Sequence, residues 1–479
     1  MVPNLGLFRA LLGALFLIDL LCYLPYVRVC LGPGYWRKSW PRSNVSDVAV
    51  VVLRALGSLS LMTATAPVLG TLVLLVLFRH YYNANRWKNP FRGGGAPGFM
   101  SQFAVLHLLS FELAAALDPT GSLSTLALVV FSVDLGAILL DSGTYKLLSG
   151  YLRSEGMEYG LANPMWGYWF RVFRRLSPWS LALRGQDAGA ALTQVVMGAA
   201  MIAFPLRGIG ALVCMASFLY LIPLVRLGRL AALMVVLPLP LLLDLPISLA
   251  GMSELGVAAA PGLPAQLQAT VLLAYLALLP AVKAMQYVNL FLRRPFPPAL
   301  QRWLTAYSNA IPIIMWRVFT PDVTNFFIRI YAIAPGGAES AVLTETGIYA
   351  YRNLGHWQRA SRFLHVTESI ALTTVFTTLK YFPSRRDLFE ERLTAYAASL
   401  ELDGAAAVRF EYVAITKTPS EMRYDAVGEF VVDLSTGAVR ERKIDPTFDY
   451  SRPARFSHVR ESTGFGSYLP RGPGRSPQM

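Results

Sequence analysis

The chain has 479 residues, of which 54% are hydrophobic and only 15% charged. Soluble domains carry roughly 25% charged residues, so the composition excludes an ordinary water-soluble globule and points to the lipid bilayer as main solvent and partner. The excess of 43 basic over 29 acidic residues, +14 in all, suits loop lysines and arginines that meet anionic headgroups. Without a recognition motif or a stacked arginine–aromatic platform, nucleic acid is not an expected partner.

Apolar runs occupy residues 5–24, 47–78, 100–117, 124–148, 188–205, 208–227, 230–250 and 266–292. Each approaches or exceeds the ~20 residues that cross a bilayer as a helix. The first, "LGLFRALLGALFLIDLLCYL", has no early basic region or small-residue cleavage site and reads as a retained span. The second is too long for one crossing, and its "TATAP" at 63–67 predicts a kink or two short helices, because proline removes a backbone donor. Residues 79–99 are basic and aromatic and then glycine-rich, which reads as an interfacial loop or as part of a substrate or headgroup site. The glycine-rich "RGGGAPG" at 92–98 follows no strand and is read as opening no helix, which makes it a weak phosphate loop. In "NPMWGYWFRVFRRLSPW", 163–179, Trp166, Trp169, Phe170 and Phe173 recur at helical spacing opposite Arg171, Arg174 and Arg175, predicting an amphipathic helix in the interface plane.

Beyond residue 320 no spanning run occurs. "SRRDLFEERLTAYAASLEL", 384–402, is helical in period, with Ser384 and Asp387 at capping-box spacing. "VRFEYVAITK" reads as a strand, and "GEFVVDLSTGAVRERK" as two strands around a Ser-Thr-Gly turn. The expected architecture is an α-helical polytopic membrane bundle of about eight spans over 1–320. A C-terminal extramembrane α/β domain follows over 321–460, then a disordered tail over 461–479.

Ionisable groups inside apolar runs are the sharpest functional signal, each costing ~2.5–3.5 kcal/mol at mid-helix. They are Asp19, His107, Glu112, Asp134, Asp141, Lys146 and Asp244. Asp134 and Asp141, seven apart, share a helix face, and Lys146 lies about 120–140° round from them. Two readings of Lys146 stand open. In one it pairs with an acid and pins two helices together. In the other it is a desolvated amine able to accept a proton near neutral pH. His107 reads as a bundle histidine with a hydrogen-bond partner, and Glu112, five residues on, is off its face. The three cysteines form no CxxC pair, and His356, His365 and His458 show no ligand spacing, so no metal is predicted.

The segment "SGTYKLLSGY", 142–151, followed by "MEYGLANPMWGYW", 157–169, resembles a stretch of vitamin K-dependent γ-carboxylases and of the wider HTTM group of bacterial membrane proteins. Downstream, "MWRVFT" at 315–320 resembles the Trp-Arg step out of the last span. "KIDPTFDYSR" at 443–452 resembles an Asp-Pro-x-x-Asp element and places Asp445, Pro446 and Asp449 on it. The resemblance implies a multi-pass protein of the bacterial inner or plasma membrane. It implies that Lys146 is the base that deprotonates a reduced, vitamin K-like quinone, ahead of an epoxidation or a lyase-type carboxylation. It further implies that the C-terminal domain holds a polypeptide or small lipophilic substrate. Asp141, Asp134, His107, Glu112 and Tyr145 are the supporting candidates. The chain departs from the carboxylase pattern where Ser101 and Gln102 replace an Asn-His pair, with His107 displaced, and where Tyr145 replaces the first of two lysines. The same region is similar to lipase maturation factors through Ser142, Gly143, Lys146, Leu147, Asn163 and Pro164. That similarity implies a non-catalytic maturation, assembly or export factor for a client protein, with Lys146 a structural ion-pair residue.

Overall fold

The computed structural model describes residues 2–24, 44–79, 95–118, 121–153, 156–242, 262–291, 296–311, 324–345, 367–400 and 402–451. The expectations on "MWRVFT", Asp244 and the tail fall outside them.

Helix α1 (Leu5–Tyr23) is an unbroken apolar run. It packs on α2 (Asn44–Thr63) at Gly13, where an added Cβ would come within 2.6 Å of the Ser58 carbonyl oxygen. The long second run is two helices. Ala64 and Ala66 take left-handed φ of 59° and 50°, and Pro67 opens α3 (Pro67–Val76), where its missing N–H is harmless. Gly57 lies beside Leu74 and Gly70 beside Ser60, so α3 folds back antiparallel along α2. Next come α4 (Gly95–Leu117) and α5 (Ser122–Ser149), the 28-residue centre of the bundle. The glycine-rich 95–98 does open a helix, contrary to the sequence expectation: Pro97 is tolerated in a first turn, where backbone donors are unused.

Residues 163–179 do not form one amphipathic helix. The short helix α6 (Met157–Ala162) ends just before them, and within them a second short helix, α7 (Phe170–Phe173), is flanked by turns. Pro164, Gly167 and Pro178 interrupt the aromatic period. A Cβ on Gly167 would sit 2.1 Å from the Leu161 carbonyl oxygen, so only glycine fits. Trp166 and Phe170 are buried, and Trp169 is exposed. Helices α8 (Leu181–Ile202), α9 (Arg207–Leu221), α10 (Arg229–Val236), α11 (Leu263–Phe291) and α12 (Pro298–Ala310) complete the helical part.

Among the described residues, five helical stretches are long and apolar enough to cross a membrane: Leu5–Cys22, Pro97–Leu117, Ser122–Leu148, Phe204–Leu221 and Leu263–Val288. Val48–Thr63, Pro67–Arg79 and Arg229–Leu241 are apolar but shorter. The expected eight spans are therefore not reproduced one for one.

Helices α5 and α8 approach closely, and glycine makes it possible. A Cβ on Gly198 would lie 2.4 Å from the Leu140 nitrogen and 2.7 Å from the Gly136 oxygen. Small residues that let backbones approach are the usual adhesive between apolar helices. Gly198→Val is therefore expected to destabilise by about 1–3 kcal/mol through overpacking, read as a lower melting temperature in detergent. Gly6→Ala, which meets nothing within 4 Å, should leave that temperature unchanged.

The C-terminal unit is a five-stranded antiparallel sheet in the order β2-β1-β3-β4-β5. Its strands are β1 (Phe326–Ile333), β2 (Glu339–Leu343), β3 (Ala407–Lys417), β4 (Met422–Asp433) and β5 (Val439–Lys443). Helices α13 (Thr367–Tyr381) and α14 (Arg386–Ser399) cover one face. Phe376 of α13 stands 5.5–6.3 Å from the rings of Phe389, Phe410, Tyr412 and Phe430. The period-two pattern of β3 turns Val408, Phe410 and Tyr412 to the helices, while Arg409 and Glu411 alternate with them. Helix α14 starts at Arg386, with Arg385 as the residue before it, so Ser384 is not its N-cap.

Candidate functional site

Helix α5 ends where Gly150 adopts φ +103° and returns its N–H to the Lys146 carbonyl, the usual left-handed C-cap. Lys146 thereby stands in the last turn, where a cation is favoured by the helix dipole. Its side chain is 3% exposed. The amine donates to Ser142 Oγ at 2.9 Å and to Gln194 Oε1 of α8 at 2.6 Å, and Ser142 itself donates to Gln194 Oε1 at 2.7 Å. The Tyr151 ring lies 5.7 Å away.

Lys146 lines a cavity of about 230 Å³ among α6, α8, α9 and α10. Met157, Met197, Phe218 and Leu230 give it apolar walls. Gly185 and Gly189 of α8 leave its mouth open, since a Cβ on either would touch nothing within 4 Å.

Asp141 points elsewhere. It forms an ion pair with Lys283 of α11 and accepts 2.8 Å from the Tyr287 hydroxyl. Asp134 shares its α5 face, as the spacing of seven predicts, and also meets α11: it accepts from Tyr275 at 2.5 Å and lies 3.0 Å from His107 Nε2. His107 is thus a bundle histidine held by a carboxylate. Glu112 takes 2.9 Å from Arg9 of α1, and Asp19 sits between Arg54 and Arg229. Tyr145 is buried but is not among the residues lining the cavity. The structure therefore brings Lys146 to a cavity and distributes the acids into cross-links between helices.

Sequence reasoning passed over Lys283, Arg54 and Arg229. Their signal was present, since Lys283 and Arg54 are cations inside apolar runs and Arg229 stands between two of them, and a buried charge needs a partner.

The sheet docks beside the Lys146 end of α5. Asn163 Nδ2 donates to the Thr324 and Phe326 carbonyls, both at 2.7 Å, while its Oδ1 accepts from the Met165 N–H. Lys417 of β3 lies 2.5 Å from Glu158 Oε1 on α6. Tyr424 donates to the Ala162 carbonyl, and burial raises its phenol pKa, which keeps the proton on the donor. Met157, a cavity wall, is held between these contacts and Asp187 Oδ1 of α8, which accepts its N–H at 2.6 Å. Cavity and sheet thus share one structural seam.

Asp445 and Asp449 each accept the N–H and hydroxyl of a residue two places on, Thr447 and Ser451. Those bonds hold the Asp445 carboxyl below its ordinary pKa and make both acids turn builders. Among the described residues no group of three or more His, Cys, Asp or Glu side chains could hold a metal ion. Comparison with known protein families, curated proteins and solved structures finds no match.

Proposed function

We propose that this is a multi-pass membrane enzyme in which Lys146 takes a proton from an acidic hydroxyl of a lipophilic substrate, a reduced quinone being the favoured class. Residues 1–320 lie in and beside a bacterial inner membrane, and 321–460 form the domain outside it. One observation carries the reading: a lysine amine on the wall of a largely apolar cavity of about 230 Å³. Ligand cavities commonly hold ~300–1,000 Å³, so this one suits a single ring system, with any isoprenoid tail leaving between helices. In the step, the substrate O–H breaks and an N–H forms on the neutral amine. Ser142 Oγ and Gln194 Oε1 then accept hydrogen bonds from the ammonium, an acceptor pair placed to stabilise the product of proton transfer.

A second reading, a maturation or export factor for a client protein, is favoured by the bonds that tie α5 to α8 through Lys146 and Gln194. The two separate on cavity occupancy. A reduced menaquinone analogue added to the protein in nanodiscs is expected to bind, and Gly189→Leu, which projects into the mouth, is expected to weaken that binding about tenfold or more while leaving the fold intact, the loss set by a filled apolar site. Quinol that binds neither protein, or both equally, would exclude the enzyme reading.

A further inference from the structure

We propose that Arg226 is the anchor of a binding site for a phosphate group, presented by a lipid headgroup or as the free ion. Arg226 is 8% exposed, between Val225 at 1% and Leu227 at 5%. Its backbone N–H donates 2.7 Å to the Trp166 carbonyl, and Tyr168 N–H donates 3.1 Å to Leu224. With the bridge of Gly167 to Val225, these bonds fix the residue against the 166–169 strip, so the side chain is held inside rather than left to reach solvent. The guanidinium lies 5.2 Å from the centre of the Tyr168 ring.

Every other buried cation of this region has an anion or a hydroxyl. Arg229, three residues on, donates to Asp19 and Ser101, and Arg54 to Asp19. Arg226 is different. Among the described residues its guanidinium makes no hydrogen bond and no ion pair, and its Nε is fully buried without an acceptor. A buried charge left uncompensated is among the costliest features a fold can keep, whereas a guanidinium offers a planar fork that fits oxyanions in two-point contact.

The surroundings favour phosphate at headgroup level. Trp169 at 56% exposure, Val172 at 57% and Trp179 at 55% stand out from the same segment, with Arg171 also exposed. Exposed tryptophan and arginine together mark the depth at which bilayer phosphates lie. The site does not depend on the reading of Lys146, because Arg226 is not among the residues lining that cavity.

The test is thermal unfolding of the full chain in neutral, phosphate-free detergent, titrated separately with phosphatidylglycerol and with inorganic phosphate. Wild type is expected to gain stability with at least one probe. A rise with the lipid alone assigns a headgroup, and a rise with both assigns a site open to the free ion. Arg226→Gln should weaken the apparent affinity about tenfold or more, the worth of a charged hydrogen bond. Without ligand it should melt no lower than wild type, because the uncompensated charge is gone. Arg171→Gln should respond like wild type. If Arg226→Gln cannot be isolated, Arg226→Lys replaces it and should also bind about tenfold more weakly, since a point charge lacks the fork. No response of wild type to either probe, or an unchanged response in both Arg226 variants, overturns the proposal.

Discussion

Lys146→Met is expected to lower the rate of quinol deprotonation in reconstituted membranes by about 10²–10⁴-fold, the usual contribution of a positioned general base, with the protein still folded and abundant. Methionine keeps the length and apolar stem but has no lone pair basic enough to take a proton. Lys146→Arg sharpens the result. Arginine can still donate to Ser142 and Gln194 yet cannot be deprotonated, so it should be equally inactive and at least as stable as methionine. A structural role predicts a split instead: arginine keeps function and abundance, and methionine loses abundance because Gln194 Oε1 surrenders its cation. Quinol turnover by the methionine variant at the wild-type rate, with unchanged abundance, would sink both roles.

Asp141→Asn is expected to cost about 3–5 kcal/mol, the penalty for removing the anion of a buried pair. It deprives Lys283, 7% exposed on α11, of its carboxylate. Loss should appear as a fall in melting temperature in detergent and in the amount of protein recovered from membranes. Tyr287→Phe removes only one hydrogen bond to the same carboxylate and should cost about 1 kcal/mol. The double change Asp141→Leu with Lys283→Met replaces the pair by apolar side chains and should recover most of the loss, because well-packed apolar substitutes of a buried pair are often neutral or better. A double variant as unstable as Asp141→Asn would show that the loss does not come from depriving the Lys283 charge of its carboxylate.

Hydropathy alone located the helical part of the chain. Each apolar run named from the sequence contains helix, and Pro67 announced the break in the second. Strands β3, β4 and β5 were visible because their side chains alternate and a Ser-Thr-Gly turn separates two of them. Strands β1 and β2 were not singled out: "FFIRIYAI" is nearly continuous in apolar residues, and such a run has no period to distinguish strand from helix. The aromatic segment 163–179 misled through a real periodicity that two prolines and a glycine, each with a steric veto, prevent from becoming a helix. In the site, Lys146 was legible as a charge out of place. Its distance from Asp141 was not, because partner choice depends on which helices meet. Helix α11 approaches the Asp134–Asp141 face and supplies Tyr275, Lys283 and Tyr287, and no pattern within α5 could announce that.

The fold-back of α3 along α2 has a topological consequence. Two antiparallel helices return the chain to the end of the bundle from which α2 set out. Arg9 of α1 meets Glu112 near the end of α4, whereas Tyr275 and Lys283 follow Asp134 and Asp141 in the same order. Helices α1, α5 and α11 therefore run in one direction. Leu5 therefore starts at the end of the helical bundle remote from the docked sheet, and α1 runs toward it.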